Sequence, residues 1–153
     1  MTVEWHHAPL HTLAGFRAPQ RQVLTPAIAK GAQVSSGFVV MPAGHAAAAH
    51  VHDMHDMIVI VLEGNVTTLI GERLENEYRH EPGDSFLIPA GQPHVGINAA
   101  PWRCVLVECR SDPYFNEDVT LLPELEAVVQ RRAAELRADF APPEDRRTIL
   151  DRV

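Results

Sequence analysis

Residues 44–52 read Gly44-His45-Ala46-Ala47-Ala48-Ala49-His50-Val51-His52, and their reading decides the fold. On a strand, alternate side chains share a face, so the imidazoles of His50 and His52 stand side by side. At that spacing their nitrogens can converge on one cation at about 2.0–2.1 Å. Taken alone, the pair fits equally well two surface histidines on an exposed strand. A third ligand has to come from elsewhere in the fold. His94 follows the loop Pro89-Ala90-Gly91-Gln92-Pro93, and a closed barrel can bring its strand beside the first.

Outward from this stretch the chain reads as one short strand after another. Gln33–Met41 is rich in β-branched and aromatic residues and is stopped by Pro42. Met57–Leu62 (MIVIVL) is a continuous apolar run closed by Glu63-Gly64-Asn65, a tight-turn triplet. Val66–Ile70 is the return strand, turned again at Gly71-Glu72. Arg73–His80, Ser85–Ile88, His94–Asn98 and Arg103–Cys109 complete the set, with turns at Glu81–Asp84 and Pro89–Pro93. Strands at this regular spacing predict an all-β sandwich or barrel.

Residues 1–32 carry scattered apolar positions among Pro9, Gly15, Pro19, Pro26 and Gly31, and read as an N-terminal extension laid on the barrel as a strand or turn. The barrel is expected over 33–115, and a C-terminal helix and tail over 116–153. Pro123 suits a first helical turn, Glu124 and Glu126 suit its positive end, and Leu125, Val128, Val129, Leu136 and Phe140 fall near one stripe that Arg132 interrupts. Pro142-Pro143 is expected to end the helix.

Composition narrows the function. The formal charge is −7, and the basic residues pair only at Arg131-Arg132 and Arg146-Arg147, so no nucleic acid or anionic membrane is expected as a partner. No apolar run approaches the roughly 20 residues of a membrane span. Residues 1–10 lack the basic start and apolar core of a secretory leader. The two cysteines, Cys104 and Cys109, if on one strand, face opposite ways. They would lie about 17 Å apart at ~3.3 Å per residue, too far for a disulfide. A reducing cytoplasm fits best. Five of the nine histidines, His45, His50, His52, His55 and His94, fall in two short stretches.

The same stretches resemble the two signature motifs of the cupin superfamily. The first runs Gly, five residues, His-x-His, three or four residues, an acidic residue, six residues, Gly; Gly44, His50, His52 and Gly64 match it. The second runs Gly, five residues, Pro-x-Gly, two residues, His, three residues, Asn; Gly83, Pro89, Gly91, His94 and Asn98 match at every named position. The resemblance spans Gly44–Asn98 directly and, by strand pattern, about Gln33–Cys109. It implies a double-stranded β-helix, a jelly-roll-like barrel. It also implies one divalent transition metal, Fe2+ or Zn2+ with Mn2+, Ni2+ or Cu2+ as alternatives, held by His50, His52 and His94. Met57 stands where the family usually supplies a carboxylate, and a thioether is a weak ligand for a hard divalent ion. Parity turns Met57 inward with Val59 and Val61. Asp56, by the shorter spacing, or His55 is the alternative fourth ligand. The likeness is therefore to three-histidine cupins, among them acetylacetone dioxygenase and cysteine dioxygenase.

Such a centre leaves positions for a small anionic or chelating molecule. Dioxygenase-type oxidation is the leading expectation. The alternatives are redox-neutral Zn-type isomerase, lyase, cyclase or hydrolase chemistry and a non-catalytic binding module. A homodimer is expected, since single-domain cupins commonly pair through barrel edges. His45, Trp102 and Tyr114 are candidates for the barrel mouth or pocket wall. Arg110 and Arg103 could meet an anionic substrate, although such arginines usually lie on the surface. Asn98 reads as a structural residue satisfying a turn.

Overall fold

The computed structural model describes residues 11–12, 20–24, 33–111, 118–141 and 148–151. Tyr114, Phe115 and Pro142-Pro143 lie outside the described residues, as do the five turn residues Pro9, Gly15, Pro19, Pro26 and Gly31.

Among the described residues eleven strands run in chain order: β1 His11–Thr12, β2 Gln20–Leu24, β3 Ser35–Met41, β4 His50–His52, β5 Met57–Glu63, β6 Val66–Ile70, β7 Asn76–His80, β8 Ser85–Ile88, β9 His94–Ile97, β10 Cys104–Arg110 and β11 Val119–Leu121. They form two antiparallel sheets, β1-β2-β3-β10-β5-β8 and β11-β4-β9-β6-β7. The sheets therefore take in β2 and β11, on either side of the interval 33–115. A 3-10 turn at Pro123–Leu125 leads into helix α1, Glu126–Ala138.

The alternation of β3 and β10 explains the inner core. Val39 and Met41 on β3, Val59 and Val61 on β5, and Cys104 and Leu106 on β10 point inward and cluster with Met57, Val66 and Ile88. Both cysteines stand on β10 and are free thiols; burial pushes Cys104 up to about 12, which leaves it inert. The second sheet is covered on its outer side as well. Helix α1 sets Val129, Ala133 and Leu136 against Ala49, Leu69, Val95 and Ile97, so the helix packs on its own barrel. Arg132, which breaks the apolar stripe, bonds Glu77 of β7 and Glu135 on the helix.

Two departures from the sequence reading have local causes. The strand expected from Arg73 starts at Asn76, because Leu74 takes a left-handed backbone (φ 57°) and buries its side chain under the helix. The Glu75 carboxylate holds that turn by accepting from the Arg73 amide at 2.9 Å. The strand β11 was not anticipated; its three residues are half-buried or exposed and carry no core alternation. Gly64 needs its glycine: φ is +74°, and a Cβ there would sit 2.7 Å from the Arg103 carbonyl oxygen.

Candidate metal centre

His50 and His52 stand at the two ends of β4, and His94 opens β9 directly opposite His50 in the ladder. The three rings have centroids 4.3–5.3 Å apart. One nitrogen from each lies within 4.8 Å of the other two, the arrangement a single metal ion requires; among the described residues this is the one such group.

The hydrogen bonds set which nitrogens face inward. His50 Nδ1 lies 2.8 Å from the Ala48 carbonyl oxygen and His94 Nδ1 lies 2.9 Å from that of Gln92. A carbonyl can only accept, so each Nδ1 carries the proton and each Nε2 keeps its lone pair. His94 Nε2 is buried and has no hydrogen-bond partner among the described residues. Burial holds His50 below its ordinary value, His94 well below it, and His52 down to about 2. Three neutral imidazoles, with one nitrogen of each within 4.8 Å of the others, fit a divalent transition metal.

His52 is held differently. Asp118, just before β11, places Oδ1 3.4 Å from His52 Nδ1 and Oδ2 3.2 Å from His55 Nδ1, and accepts from the Met54 amide at 3.3 Å. The Arg110 guanidinium, its side chain fully buried, donates to Asp118 Oδ1 at 2.9 Å and reaches His52 Nδ1 at 2.6 Å and Nε2 at 3.1 Å. A carboxylate behind a ligating imidazole is the usual means of fixing its tautomer and orientation.

Residues 37–108 match the family model described as the cupin domain. The uncharacterized protein MJ1618 of Methanocaldococcus jannaschii is 31% identical over 103 residues, covering 67% of this chain and 79% of that protein. The chain belongs to the cupin superfamily.

Solved structures place the cupin among double-stranded β-helices. A conserved protein with a double-stranded β-helix domain from Klebsiella pneumoniae superposes with a TM-score of 0.59 at 19% identity, covering 73% of this chain and 89% of that one. An oxalate decarboxylase from Lactobacillus farciminis, in a formate complex, gives 0.65 at 14% identity, covering 87% of this chain and 42% of that longer one. At these identities the likeness is one of fold.

Inside this cupin the other sequence candidates separate. Met57 is buried, lines the same cavity as His50 and His94, and its Sδ accepts from Arg110 Nη1 at 3.7 Å. Asp56 is exposed and spends Oδ1 on the Ala90 amide at 2.9 Å, bracing the loop before β9. His55 is half-buried and turns to Asp118. Neither Asp56 nor His55 joins the three histidines. His45 and Trp102 do not line the cavity: the backbone of His45 is tied to Pro42 and Asn98, and Trp102 packs edge-on against Phe140 at 5.6 Å. Ala47 and Ala48 do line it, so the alanine run leaves room beside the ligand pair. Asn98 closes a turn, with its amide donating to the carbonyls of Pro42 (2.8 Å) and Trp102 (2.7 Å) and its Oδ1 accepting from Ala100.

The cavity has a volume of about 180 Å³ and is walled mainly by apolar side chains. Sequence reasoning placed Arg110 by default on the surface and passed over Asp118 and Glu108. Arg110 and Glu108 share the inward parity of Cys104 and Leu106 on β10, a signal that two charged residues on an apolar strand did carry. Glu108 lines the cavity, and burial pushes its carboxyl up to about 7, with the Arg110 charge opposing. No helix among the described residues is long and apolar enough to cross a membrane.

Proposed function

We propose that this cupin is a metal-dependent enzyme acting on a small anionic or chelating organic molecule bound in the barrel, with dioxygenase-type oxidation as its first form. The observation that carries the reading is His94 Nε2: buried, without a hydrogen-bond partner among the described residues, and in a ring whose centroid lies 4.3 Å from that of His50. A structural site would close four protein ligands, whereas three imidazoles leave positions for other molecules. Bound Fe2+ would supply O₂ activation, and bound Zn2+ a Lewis acid. The protein's part is to keep His50, His52 and His94 neutral, to hold them through Ala48, Gln92 and Asp118, and to surround the bound molecule with apolar wall.

A second form, redox-neutral catalysis at the same site, is supported by the carboxyl of Glu108 in the same cavity, which oxidation by O₂ does not require.

Metal analysis after aerobic and anaerobic purification tests the proposal, followed by an oxygen-uptake screen over β-diketones, 2-oxo acids, catechols and amino acids. Wild-type protein is expected to hold one metal per chain, and His50→Ala or His94→Ala nearly none. A variant retaining full metal would remove that histidine from the set. Metal without turnover of any kind would leave a binding module.

A further inference from the structure

Glu108 sits on β10 with Gly37 opposite it on β3 and Val59 opposite it on β5. Neither neighbour offers a polar side chain. Its Oε2 is buried with no hydrogen-bond partner among the described residues, while Leu106, Val39 and Val59, which line the same cavity, are apolar. A buried carboxyl left unsatisfied works against folding, and every packing consideration at this position favours an aliphatic residue. The same cavity also holds His50 and His94, so the carboxyl faces the space a bound molecule would occupy.

We propose that Glu108 is the proton-transferring residue of this cavity, acting on a small enolisable 2-oxo acid bound beside the three histidines. The proposal rests on the redox-neutral form of the function above. A 2-oxo acid is an anionic chelator, suited to a centre whose protein ligands are all neutral. A three- or four-carbon one is of the size a cavity of about 180 Å³ admits. Its C–H next to the carbonyl is the bond a carboxylate base can break.

In the step, a carboxylate oxygen of Glu108 takes that proton. The C–H electron pair becomes the C=C bond of the enolate, and the carbonyl π pair moves to oxygen. The new O–H of Glu108 exchanges its proton with solvent, and a solvent-derived proton then passes from that O–H to carbon as the enolate oxygen re-forms the carbonyl, leaving Glu108 as it began and no electrons gained or lost. A base of this kind works best with a pKa near the working pH, and burial supplies that shift. Among the described residues, the titratable and charged groups facing Glu108 are His50 and His94 across the cavity, both neutral, and Arg110 on its own strand. The ladder neighbours on β3 and β5 add none.

The test uses metal-loaded wild type, Glu108→Gln and Glu108→Asp in D₂O with pyruvate, following loss of the methyl protons by NMR alongside metal content and melting temperature. Metal-free protein is also titrated by infrared for the C=O band of a protonated carboxylic acid. Wild type is expected to accelerate exchange, Glu108→Gln to lose about a hundredfold or more of that rate at unchanged metal content, and Glu108→Asp to recover part of it. The acid band should titrate near neutrality and vanish in Glu108→Gln. Exchange by Glu108→Gln at the wild-type rate, or none by wild type, overturns the proposal; wild-type metal content then decides separately whether the metal centre stands. Loss of metal from Glu108→Gln would make the carboxyl a metal-holding group and overturn the proton role.

Discussion

Arg110 Nη2 approaches His52 Nδ1 to 2.6 Å while donating to Asp118 Oδ1 at 2.9 Å, so one guanidinium joins a metal-ligand candidate to the carboxylate behind it. A neutral imidazole has one lone pair, so Arg110 can donate to only one of the two His52 nitrogens it reaches. Once Nε2 is committed to a cation, Nδ1 must carry the proton and give it to Asp118, and Arg110 loses its acceptor on the ring. Arg110 and a metal therefore compete for His52.

The competition predicts opposite signs for two neighbours. Arg110→Met should tighten metal binding about tenfold, near the lower end of the ~1.5–3 kcal/mol of a hydrogen bond to a charged group, while lowering the melting temperature of the metal-free protein. Asp118→Asn should weaken metal about 10–100-fold, as loss of a carboxylate behind a ligating histidine generally does. Titration against a chromophoric chelator checks both. Weaker metal in Arg110→Met would show that the arginine supports the site.

Met57 lies against the same guanidinium, at 3.7 Å from Sδ to Nη1. A carboxylate introduced by Met57→Glu would meet a buried cation before it met a metal. Alone, Met57→Glu should gain little metal affinity; combined with Arg110→Met it should gain at least tenfold and turn over more slowly, because the new ligand takes a position open to substrate. Equal affinities for the single and double variants would exclude this ordering.

Glu108 makes stability depend on pH. Its folded-state value, about 7, lies above the ordinary 4.5, so between those pH values the folded protein keeps a proton that the unfolded chain releases. The contribution is present in full below pH 4.5 and is lost as pH rises through about 7. At ~1.4 kcal/mol per pH unit the loss is roughly 3 kcal/mol. Glu108→Gln should therefore be more stable than wild type at pH 8, with the gap closing below pH 5. Denaturant titrations of metal-free protein across that range measure it.

The helix is held by burial rather than by caps; among the described residues no side chain caps its start. Leu136→Ala, at a site 6% exposed, should cost about 2–5 kcal/mol, and Arg131→Ala on the open face close to nothing. Urea denaturation with unchanged slope would confirm that stability alone has changed.

Strands framed by turn residues were legible in the chain itself. Val66–Ile70 and Ser85–Ile88 keep the bounds the pattern predicts, because turn residues sit immediately on both sides. Weak alternation failed where tertiary contacts outweighed it, as at Leu74, drawn under the helix, and at β11, whose pairing with β4 no local pattern announces. His-x-His was readable as a ligand pair because spacing on a strand dictates a shared face, and His94 as the third through the likeness of Gly83–Asn98 to the second cupin motif.

The sequence by itself determined the run of strands and the inward parity of Met57, which follow from a period of two and from turn residues, and, through its likeness to the two cupin motifs, the barrel and the candidate set of three histidines. Which nitrogens face the centre, and what stands behind them, was decided only by the tertiary structure. Asp118 reaches His52 across 66 positions, Arg110 across 58, and the emptiness around Glu108 depends on Gly37 and Val59 from two other strands. Electrostatics and burial are sums over neighbours in space, and a chain read in order has no access to those neighbours until it folds.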